Sequence, residues 1–227
     1  MVRTLNPDVR TVRRDAILDV AERLIRTGGY DRMSVQAVQD ELGVSRGAIY
    51  HYFDSKAALV EAVVDRIAVG IEVVMAAIAD DPRLSAVAKL RGVFEAAGAW
   101  KAERRDLVLG LLQSWYSQDN AVVRERLRSV ASAHLTPILE RIVRQGRDEG
   151  AFTTTHPDYA AQILVSLLDG SGETVGRMVL AGLAGGVRFE DVERLFAAYN
   201  EAVERVLGLP AGSFELVDSP SLRFWFT

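Results

Sequence analysis

The chain has 227 residues, no cysteine, and a formal net charge of −4 from 27 basic and 31 acidic residues. This length allows one large or two small domains with a substantial apolar core, and the lack of cysteine excludes disulfides and thiolate chemistry. No apolar run approaches the ~20 residues that cross a bilayer, and Met1 to Thr11 lacks the apolar stretch of a signal peptide. We therefore expect a soluble, cytoplasmic protein.

Charge is distributed unevenly along the chain. Residues 1–66 contain ten basic and ten acidic residues. The remainder holds 17 basic and 21 acidic ones and therefore carries the whole net charge of −4. A neutral N-terminal segment can attract a polyanion only through local clusters. The candidate clusters are Arg3, Arg10, Arg13 and Arg14 near the first helix, and Arg46 with Lys56 further on. The alternative for each position is a solvated surface of mixed charge.

Three short helices are predicted at the N-terminus. Apolar spacing predicts the first over Thr11 to Arg26, with Asn6-Pro7 as an alternative start and Gly28-Gly29 as its end. Ser34 is a cap for the second helix, which ends at Gly43. The third helix is expected from Ser45, as its cap, to Tyr52. Together these helices form one compact unit.

The run from Gly43 to Lys56 is the most informative part of the sequence. A left-handed Gly43 would end one helix, and a new helix begins after a turn of two residues. That helix combines phosphate-seeking donors with rings that can contact sugars or thymine methyl groups, at Arg46, Tyr50, His51 and Tyr52. This pattern is typical of a helix-turn-helix that presents its second helix to DNA. Phe53 is assigned to the core, and core packing is also the alternative for the three preceding aromatic residues.

The rest of the chain is helical by pattern, without a convincing strand, so the predicted fold class is all-α. Ser55 caps a long helix that Asp80-Asp81-Pro82 stops. Further helices are predicted at about 84–101, 106–117, 121–149, 158–181 and 189–207. Pro137 predicts a kink or local break near Ala133-His134, whereas Pro157 suits a first helical turn.

The predicted domains are a DNA-binding domain at 1–54, a connecting helix at 55–80, a larger C-terminal domain at 81–208 and a non-helical apolar tail at 209–227. Pro210, Gly212 and Pro220 argue against a continuous helix in that tail, and its large apolar residues should pack on the protein or on a partner. The two helices at 158–181 and 189–207 are apolar on more than one side. They either meet the same helices of a second subunit or form a central core.

The sequence resembles the tetracycline-repressor (TetR) family of bacterial regulators over about Thr11 to Val64. The resemblance rests on the amphipathic first helix, Gly29-Tyr30, Ser34-Val35, the run from Gly43 to Lys56, and Leu59. It implies an all-α homodimer whose N-terminal domain binds operator DNA. It also implies a C-terminal domain that binds a small effector and dimerises through Asp158–Ala181 and Phe189–Leu207. Gln39 departs from the family pattern, which usually has a small residue there.

Residue roles follow from this resemblance. Ser34 is expected to contact a phosphate, Arg46 and Gly47 to approach base edges, and Tyr50 to meet a base or its sugar. The DNA backbone is assigned to His51, Tyr52 and Lys56, and Arg13 and Arg14 are added as basic DNA contacts. The resulting function is a ligand-responsive regulator, expected to be a repressor that a mainly apolar or aromatic molecule releases from an inverted-repeat operator.

The ligand pocket is predicted less sharply. Its candidates are Phe94, Trp100, Gln113, Trp115, Tyr116, His134, Asp169, Glu173 and Met178, each of which could instead belong to the core, an interface or the surface. The three histidines lie in separate elements, so we expect no metal site, and no cofactor motif is present. An all-α enzyme, for example one using Asp169 with Glu173, and an architectural DNA binder without an effector are the alternatives. We expect no catalytic residues.

Overall fold

The computed structural model describes residues 7–115 and 121–226, which form ten helices and contain no strand. The helices are α1 (Pro7–Arg32), α2 (Val35–Leu42), α3 (Arg46–Tyr50), α4 (Lys56–Ala79), α5 (Ala86–Ala102), α6 (Arg105–Trp115), α7 (Ala121–Asp148), α8 (Pro157–Leu183), α9 (Phe189–Leu207) and α10 (Ser219–Phe224). The all-α prediction is therefore confirmed. Among these helices, none is both long and apolar enough to span a membrane.

The chain divides into two compact units. The N-terminal unit comprises Met1–Ile67 and Asp106–Leu127, and the C-terminal unit comprises Ala68–Arg105 and Arg128–Thr227. The division therefore crosses α4 between Ile67 and Ala68. The domain bounds given above were drawn from sequence order and remain predictions.

Most helix boundaries in the N-terminal unit follow the predicted caps. The Ser34 hydroxyl accepts a hydrogen bond from the Ala37 amide at 3.0 Å, and the Ser55 hydroxyl accepts one from Ala58 at 3.0 Å. Gly43 ends α2 in the left-handed conformation, with φ 63° and ψ 31°. These three signals are local, so the sequence alone identifies them.

One of the two alternative starts of the first helix is confirmed, and one cap prediction in this unit is wrong. Helix α1 begins at Pro7, and Gly29, with a φ of 74°, interrupts it close to the predicted end before a last turn follows. Proline suits a first helical position because it needs no amide partner there. Ser45 precedes α3, but its side chain makes no capping hydrogen bond; its carbonyl oxygen instead accepts from the Ala48 amide at 2.9 Å.

Helix α6 belongs to the core of the N-terminal unit although it follows α5 in the chain. This core takes buried residues from five helices, among them Leu18, Ile25, Val38, Ile49, Leu59, Val63 and Leu107. A Cβ atom added at Gly110 of α6 would lie 2.7 Å from the Ile25 carbonyl oxygen. Glycine is therefore what permits α6 to approach α1 so closely.

The C-terminal unit packs α5, α7, α8 and α9 around one apolar core, with the last part of α4. Its buried members include Met75, Leu90, Val93, Leu139, Ile142, Leu164, Val203 and Leu207. Helix α7 runs through Pro137 without interruption, so the local break is absent. Proline removes one helical hydrogen bond, and a long helix with a buried face can continue past that position without it.

The C-terminal segment, residues 208–226, is part of this core. Phe214, Leu216 and Leu222 are buried, which confirms that it packs back on the protein. The prediction that it is non-helical is wrong at α10. The Asp218 carboxylate accepts from the Ser221 amide at 2.6 Å, and Pro220 occupies the first turn, so a residue interpreted as a helix breaker helps to begin a helix.

Side chains of α9 bind the backbone of the C-terminal segment. The buried Glu204 carboxylate accepts from the amides of Gly212 at 3.0 Å and Phe214 at 2.9 Å. The Asn200 side-chain oxygen accepts from the Leu216 amide at 3.0 Å. These bonds satisfy backbone donors that packing against α9 removes from water. The segment is consequently fixed by both apolar burial and specific hydrogen bonds.

Candidate nucleic-acid interface

Helix α3 presents one exposed side that combines a cation, a bare backbone and a phenol. Ile49 is fully buried, whereas Arg46, Gly47 and Tyr50 are exposed. The Arg46 guanidinium donates to the Tyr50 hydroxyl at 3.2 Å and lies 5.1 Å from the centre of its ring. This pairing arranges the two side chains before any partner arrives, which reduces the ordering cost of binding.

Gly47 has open space around it. A Cβ atom added there would meet nothing within 4 Å. Packing within the protein therefore does not require glycine at this position, although glycine weakens a helix by about 1 kcal/mol relative to alanine. A close approach of an external surface to the α3 backbone would explain why glycine occupies this position.

Two further predicted contacts lie at helix N-termini. The Ser34 hydroxyl uses a lone pair to cap α2, which leaves its proton available to a phosphate oxygen, and a helix N-terminus favours anions. Lys56 at the start of α4 donates to the Tyr30 carbonyl oxygen at 2.9 Å and lies 3.9 Å from the Tyr30 ring centre. Burial lowers the pKa of Lys56, and the nearby Asp31 carboxylate opposes that change.

The two aromatic residues after α3 have different surroundings. His51 is exposed, and its ring meets that of Tyr52 edge to face with centres 5.3 Å apart. Tyr52 is half-buried against the core, and its hydroxyl is shielded from solvent without a hydrogen-bond partner. This placement favours core packing for Tyr52, the alternative that its sequence left open. His51 retains an accessible ring.

Arg13 and Arg14 are both exposed on α1. The Arg14 guanidinium lies 5.5 Å from the ring centre of Phe53, which is buried as predicted. Helix α1 therefore contributes a cation next to the residues that follow α3.

The structure adds two candidates that the sequence did not single out, Val44 and Ser45. Val44 is 37% exposed in the turn before α3, and the Ser45 hydroxyl makes no internal capping bond. The only sequence signal for them was their position between two helices of the motif. At Gln39, where the sequence departs from the family pattern, the side-chain oxygen is buried without a hydrogen-bond partner.

The predicted ligand residues of the C-terminal unit make contacts with separate partners. Phe94 is half-buried and meets the Phe214 ring edge to face, with centres 6.4 Å apart. Trp100 carries the Arg104 guanidinium 4.1 Å from its ring centre. His134 Nδ1 lies 2.5 Å from a carboxylate oxygen of Glu72, a partner that the sequence did not indicate.

The remaining ligand candidates are less informative. Asp169 and Met178 are half-buried on α8, and Glu173 is exposed and pairs with Arg177 one turn later. The side chains of Gln113 and Trp115, and all of Tyr116, lie outside the described residues. Within residues 7–115 and 121–226, no cluster of three or more histidine, aspartate or glutamate side chains could hold a metal ion. The assigned ligand and DNA roles thus remain predictions.

Comparison with known sequences finds similarity within the N-terminal unit. Residues 17–63 match the family model described as bacterial regulatory proteins, tetR family. A curated relative, the HTH-type transcriptional repressor Rv1474c of Mycobacterium tuberculosis, is 42% identical over 55 residues. That match covers 24% of this chain and 29% of the relative, so the similarity in sequence is confined to less than a third of either protein.

Solved structures extend the likeness in fold to most of the chain. SmeT, the repressor of the Stenotrophomonas maltophilia multidrug efflux pump SmeDEF, aligns with a TM-score of 0.59 at 22% identity, covering 91% of this chain and 95% of that one. A SmeT–triclosan complex gives 0.58 at 24%, covering 89% and 94%. The fatty acid degradation regulator FadR of Bacillus halodurans gives 0.60 at 19%, covering 93% and 98%.

Proposed function

Because residues 17–63 match the family model of bacterial regulatory proteins, tetR family, we propose that the chain represses transcription as a dimer bound to an inverted-repeat operator. A small, mainly apolar or aromatic molecule would release it. The matched family and the curated relative named above are regulators of transcription, which supports a regulator rather than an enzyme. The observation that carries the proposal is the exposed side of α3, where Arg46, Gly47 and Tyr50 lie together.

The chemistry of this surface suits duplex DNA. Arginine can donate two hydrogen bonds to a guanine edge, and an exposed tyrosine can contact a sugar, a phosphate or a thymine methyl group. Ser34 and Lys56 would hold phosphates on either side of α3. Since the first 66 residues carry no net charge, specificity would depend on these few contacts and on the spacing of two α3 helices, about 34–36 Å in a two-fold dimer.

Substitution of Gly47 with alanine tests the DNA surface without disturbing the fold. The new methyl group has open space within the protein, so Gly47→Ala should fold normally and gain up to ~1 kcal/mol of helix stability. It should nevertheless weaken DNA binding at least ~10-fold, or about 1.4 kcal/mol, because it blocks the close approach of a base edge. Fluorescence anisotropy on duplexes from the DNA beside the gene measures this, at several salt concentrations.

Gly98→Ala is the matched control, because Gly98 is also helical, lies in α5 of the C-terminal unit and has open space around its Cα. It should leave DNA affinity unchanged. A Gly47→Ala protein that binds as tightly as wild type, or wild-type binding that does not weaken steeply with salt, would contradict the proposed interface.

The dimer surface we propose is the outer side of α8 with α9. Tyr159 is 63% exposed and Ile163 is 43% exposed, and both line a shallow groove with Gln162, Ser166 and Leu167. On α9, Ala197 and Ala198 are exposed, so a partner helix could approach closely. Large exposed apolar side chains beside small ones are common where helices of two subunits pack.

Ile163→Glu should dissociate the dimer, because it places a charge in an apolar contact. Sedimentation velocity would show a halved mass and, since one α3 alone cannot span both half-sites, a parallel loss of operator affinity. Val73→Glu is the control: Val73 is 63% exposed on α4, outside the proposed surface. A monomeric wild type, or an Ile163→Glu protein that stays dimeric, argues for a different interface.

The effector would bind in the C-terminal unit near its aromatic residues. Phe94 and Trp100 offer apolar contact, and the His134–Glu72 pair offers a polar anchor. The SmeT structure with triclosan makes triclosan a reasonable first probe. If it binds, it should lower operator affinity, and by linkage the operator should lower triclosan affinity by the same factor. Native mass spectrometry of the purified protein would reveal any molecule already retained.

Helices α4 and α6 are the proposed route from effector to DNA. Helix α4 begins in the N-terminal unit and ends in the C-terminal one, and α6 packs against α1 through Gly110. A ligand that favours another arrangement of either helix would change the spacing of the two α3 helices. DNA binding and ligand binding would then oppose each other without direct contact.

A further inference from the structure

One lysine of α5 lies on the buried side of its helix and is nevertheless exposed to water. Val93 and Ala97 precede Lys101 at intervals of four residues on the same side of α5, and both are buried in the core of the C-terminal unit. Lys101 itself is exposed. Protein surrounds its ammonium group closely enough that burial lowers the pKa of Lys101, and no described carboxylate offsets this effect. Lys101 therefore lines a recess of this unit that water can enter.

A second cation in this unit is Arg105, the first residue of α6. Its Nε and Nη2 atoms are shielded from solvent and bond to no partner among the residues that the structure describes. No other arginine in the described part of the chain has shielded nitrogens without a partner. Arg104 beside it donates to the Glu103 carboxylate at 3.0 Å and to the Trp100 carbonyl oxygen at 3.2 Å. Asp106 is exposed and leaves the two Arg105 nitrogens unbonded. Because shielding a charged donor without an acceptor is strongly unfavourable, this edge of the guanidinium suits an anion.

One turn of chain separates Lys101 from Arg105, and we call these two residues the cation pair. Glu103 continues α5 with φ −59° and ψ −23°, and the Arg104 amide donates to the Lys101 carbonyl oxygen at 3.0 Å. The backbone therefore stays helical up to the start of α6, and residues four apart in a helical turn lie on the same side. The N-terminus of α6 adds its own preference for a negative group.

Apolar rings and open space adjoin the cation pair. The C-terminal segment meets α5 at Phe94, whose ring centre lies 6.4 Å from that of Phe214. It also meets Arg105, whose guanidinium lies 5.6 Å from the ring centre of Phe224, a residue that is 43% exposed. Between these contacts in the chain lies the half-buried Gly98, where an added Cβ atom would meet nothing within 4 Å. Gly98 shares its side of α5 with the lysine of the cation pair. These surroundings suit a mainly apolar molecule with one anionic end.

We propose that the cation pair binds the carboxylate of the effector, so that the protein responds to an apolar carboxylate rather than to a neutral apolar molecule. The inference rests on the proposed function and narrows its ligand class. The Nε–Nη2 edge of a guanidinium donates two parallel hydrogen bonds to the two oxygens of a carboxylate, and the ammonium supplies a second positive charge. A doubly charged phosphate would cost more to remove from water in these surroundings.

The test uses the full chain and two matched pairs of probes, decanoate with decanol and naphthoate with naphthalenemethanol. The members of a pair share the apolar part and differ in the head group. In isothermal titration calorimetry, wild type should bind the carboxylate of at least one pair ~10-fold or more tightly than its alcohol, because charge-assisted hydrogen bonds are the stronger ones. That carboxylate should also lower operator affinity in the anisotropy assay.

Three variants assign the preference to the cation pair. Lys101→Met/Arg105→Gln removes both charges, so it should bind the two members of a pair equally and keep the wild-type affinity for the alcohol. Arg105→Lys keeps the charge without the paired donors and should retain only part of the preference. Arg104→Gln is the matched control, because it removes an adjacent cation that already bonds to Glu103, and it should keep the full preference. Circular dichroism and thermal melting check that each variant folds.

The outcomes separate this inference from the proposed function. Wild type that binds neither carboxylate, or binds each no more tightly than its alcohol, overturns the inference, while operator binding by the same preparation leaves the regulator intact. A double variant that keeps the preference, or an Arg104→Gln protein that loses it, also overturns the inference. So do carboxylates that bind without lowering operator affinity. Wild type that prefers carboxylates but binds no operator supports the site and contradicts the proposed function.

Discussion

The first turns of α1 in the N-terminal unit and the segment after α9 in the C-terminal unit have opposite surroundings. The C-terminal segment buries Phe214, Leu216 and Leu222, and α9 satisfies its backbone. The first turns of α1 leave Val9, Val12 and three arginines in solvent. The segment after α9 therefore stabilises the fold through burial and hydrogen bonds, whereas the first turns of α1 are exposed and basic.

Phe214→Ala tests the C-terminal side of this comparison and should have the largest effect on stability. Phe214 is buried and meets Phe94, so its truncation should cost about 3–5 kcal/mol of unfolding free energy. Urea unfolding followed by circular dichroism measures the loss. Phe224→Ala is the control, because Phe224 is 43% exposed and should cost much less. Equal losses for the two variants would show that the segment is not selectively anchored.

Glu204→Gln should have an intermediate effect. A glutamine offers one oxygen where the carboxylate offers two, so one of the Gly212 and Phe214 amides would face an NH₂ group. A buried donor without an acceptor costs about 1–3 kcal/mol. Glu201→Gln, which removes an exposed pair with Arg205, should cost at most about 0.5 kcal/mol. Amide exchange at Gly212 and Phe214 should accelerate only in the first variant.

Val12→Ser tests the opposite end and should have the smallest effect. Val12 is 68% exposed in the first turns of α1, so its replacement should change the unfolding free energy by less than about 0.5 kcal/mol. The same urea titration measures it. A loss comparable to that of Phe214→Ala would mean that the N-terminal turns pack on something, and the contrast between the two ends would disappear.

Local signals in the sequence predicted much of the fold. Ser34, Gly43, Ser55 and Pro157 mark helix ends through their own backbone and neighbouring amides, so no distant residue is needed to interpret them. Apolar periodicity likewise predicted the long helices. These features depend on residues within about one or two helical turns of each other.

Features that depend on distant partners were not predictable. From the sequence alone, Glu204 in α9 would be assigned to the surface. It is buried because the chain returns ten residues later, where the Phe214 amide donates to the Glu204 carboxylate. Gly110 has no distinguishing sequence context, because its role depends on Ile25 of another helix. In the candidate interface, the sequence predicted the helix that carries Arg46 and Tyr50. The shielding of the Tyr52 hydroxyl, in contrast, depends on how the whole unit packs.

The inclusion of α6 in the N-terminal unit bears on how such proteins could be recombined. A hybrid protein that takes only residues 1–67 from this chain would lack Leu107 and Gly110 of the N-terminal unit. The α6 of the other parent would then lie against Ile25. Crossover points that respect this unit must fall on both sides of α6 as well as within α4. The N-terminal unit is thus encoded in two separate stretches of the gene, which fold together.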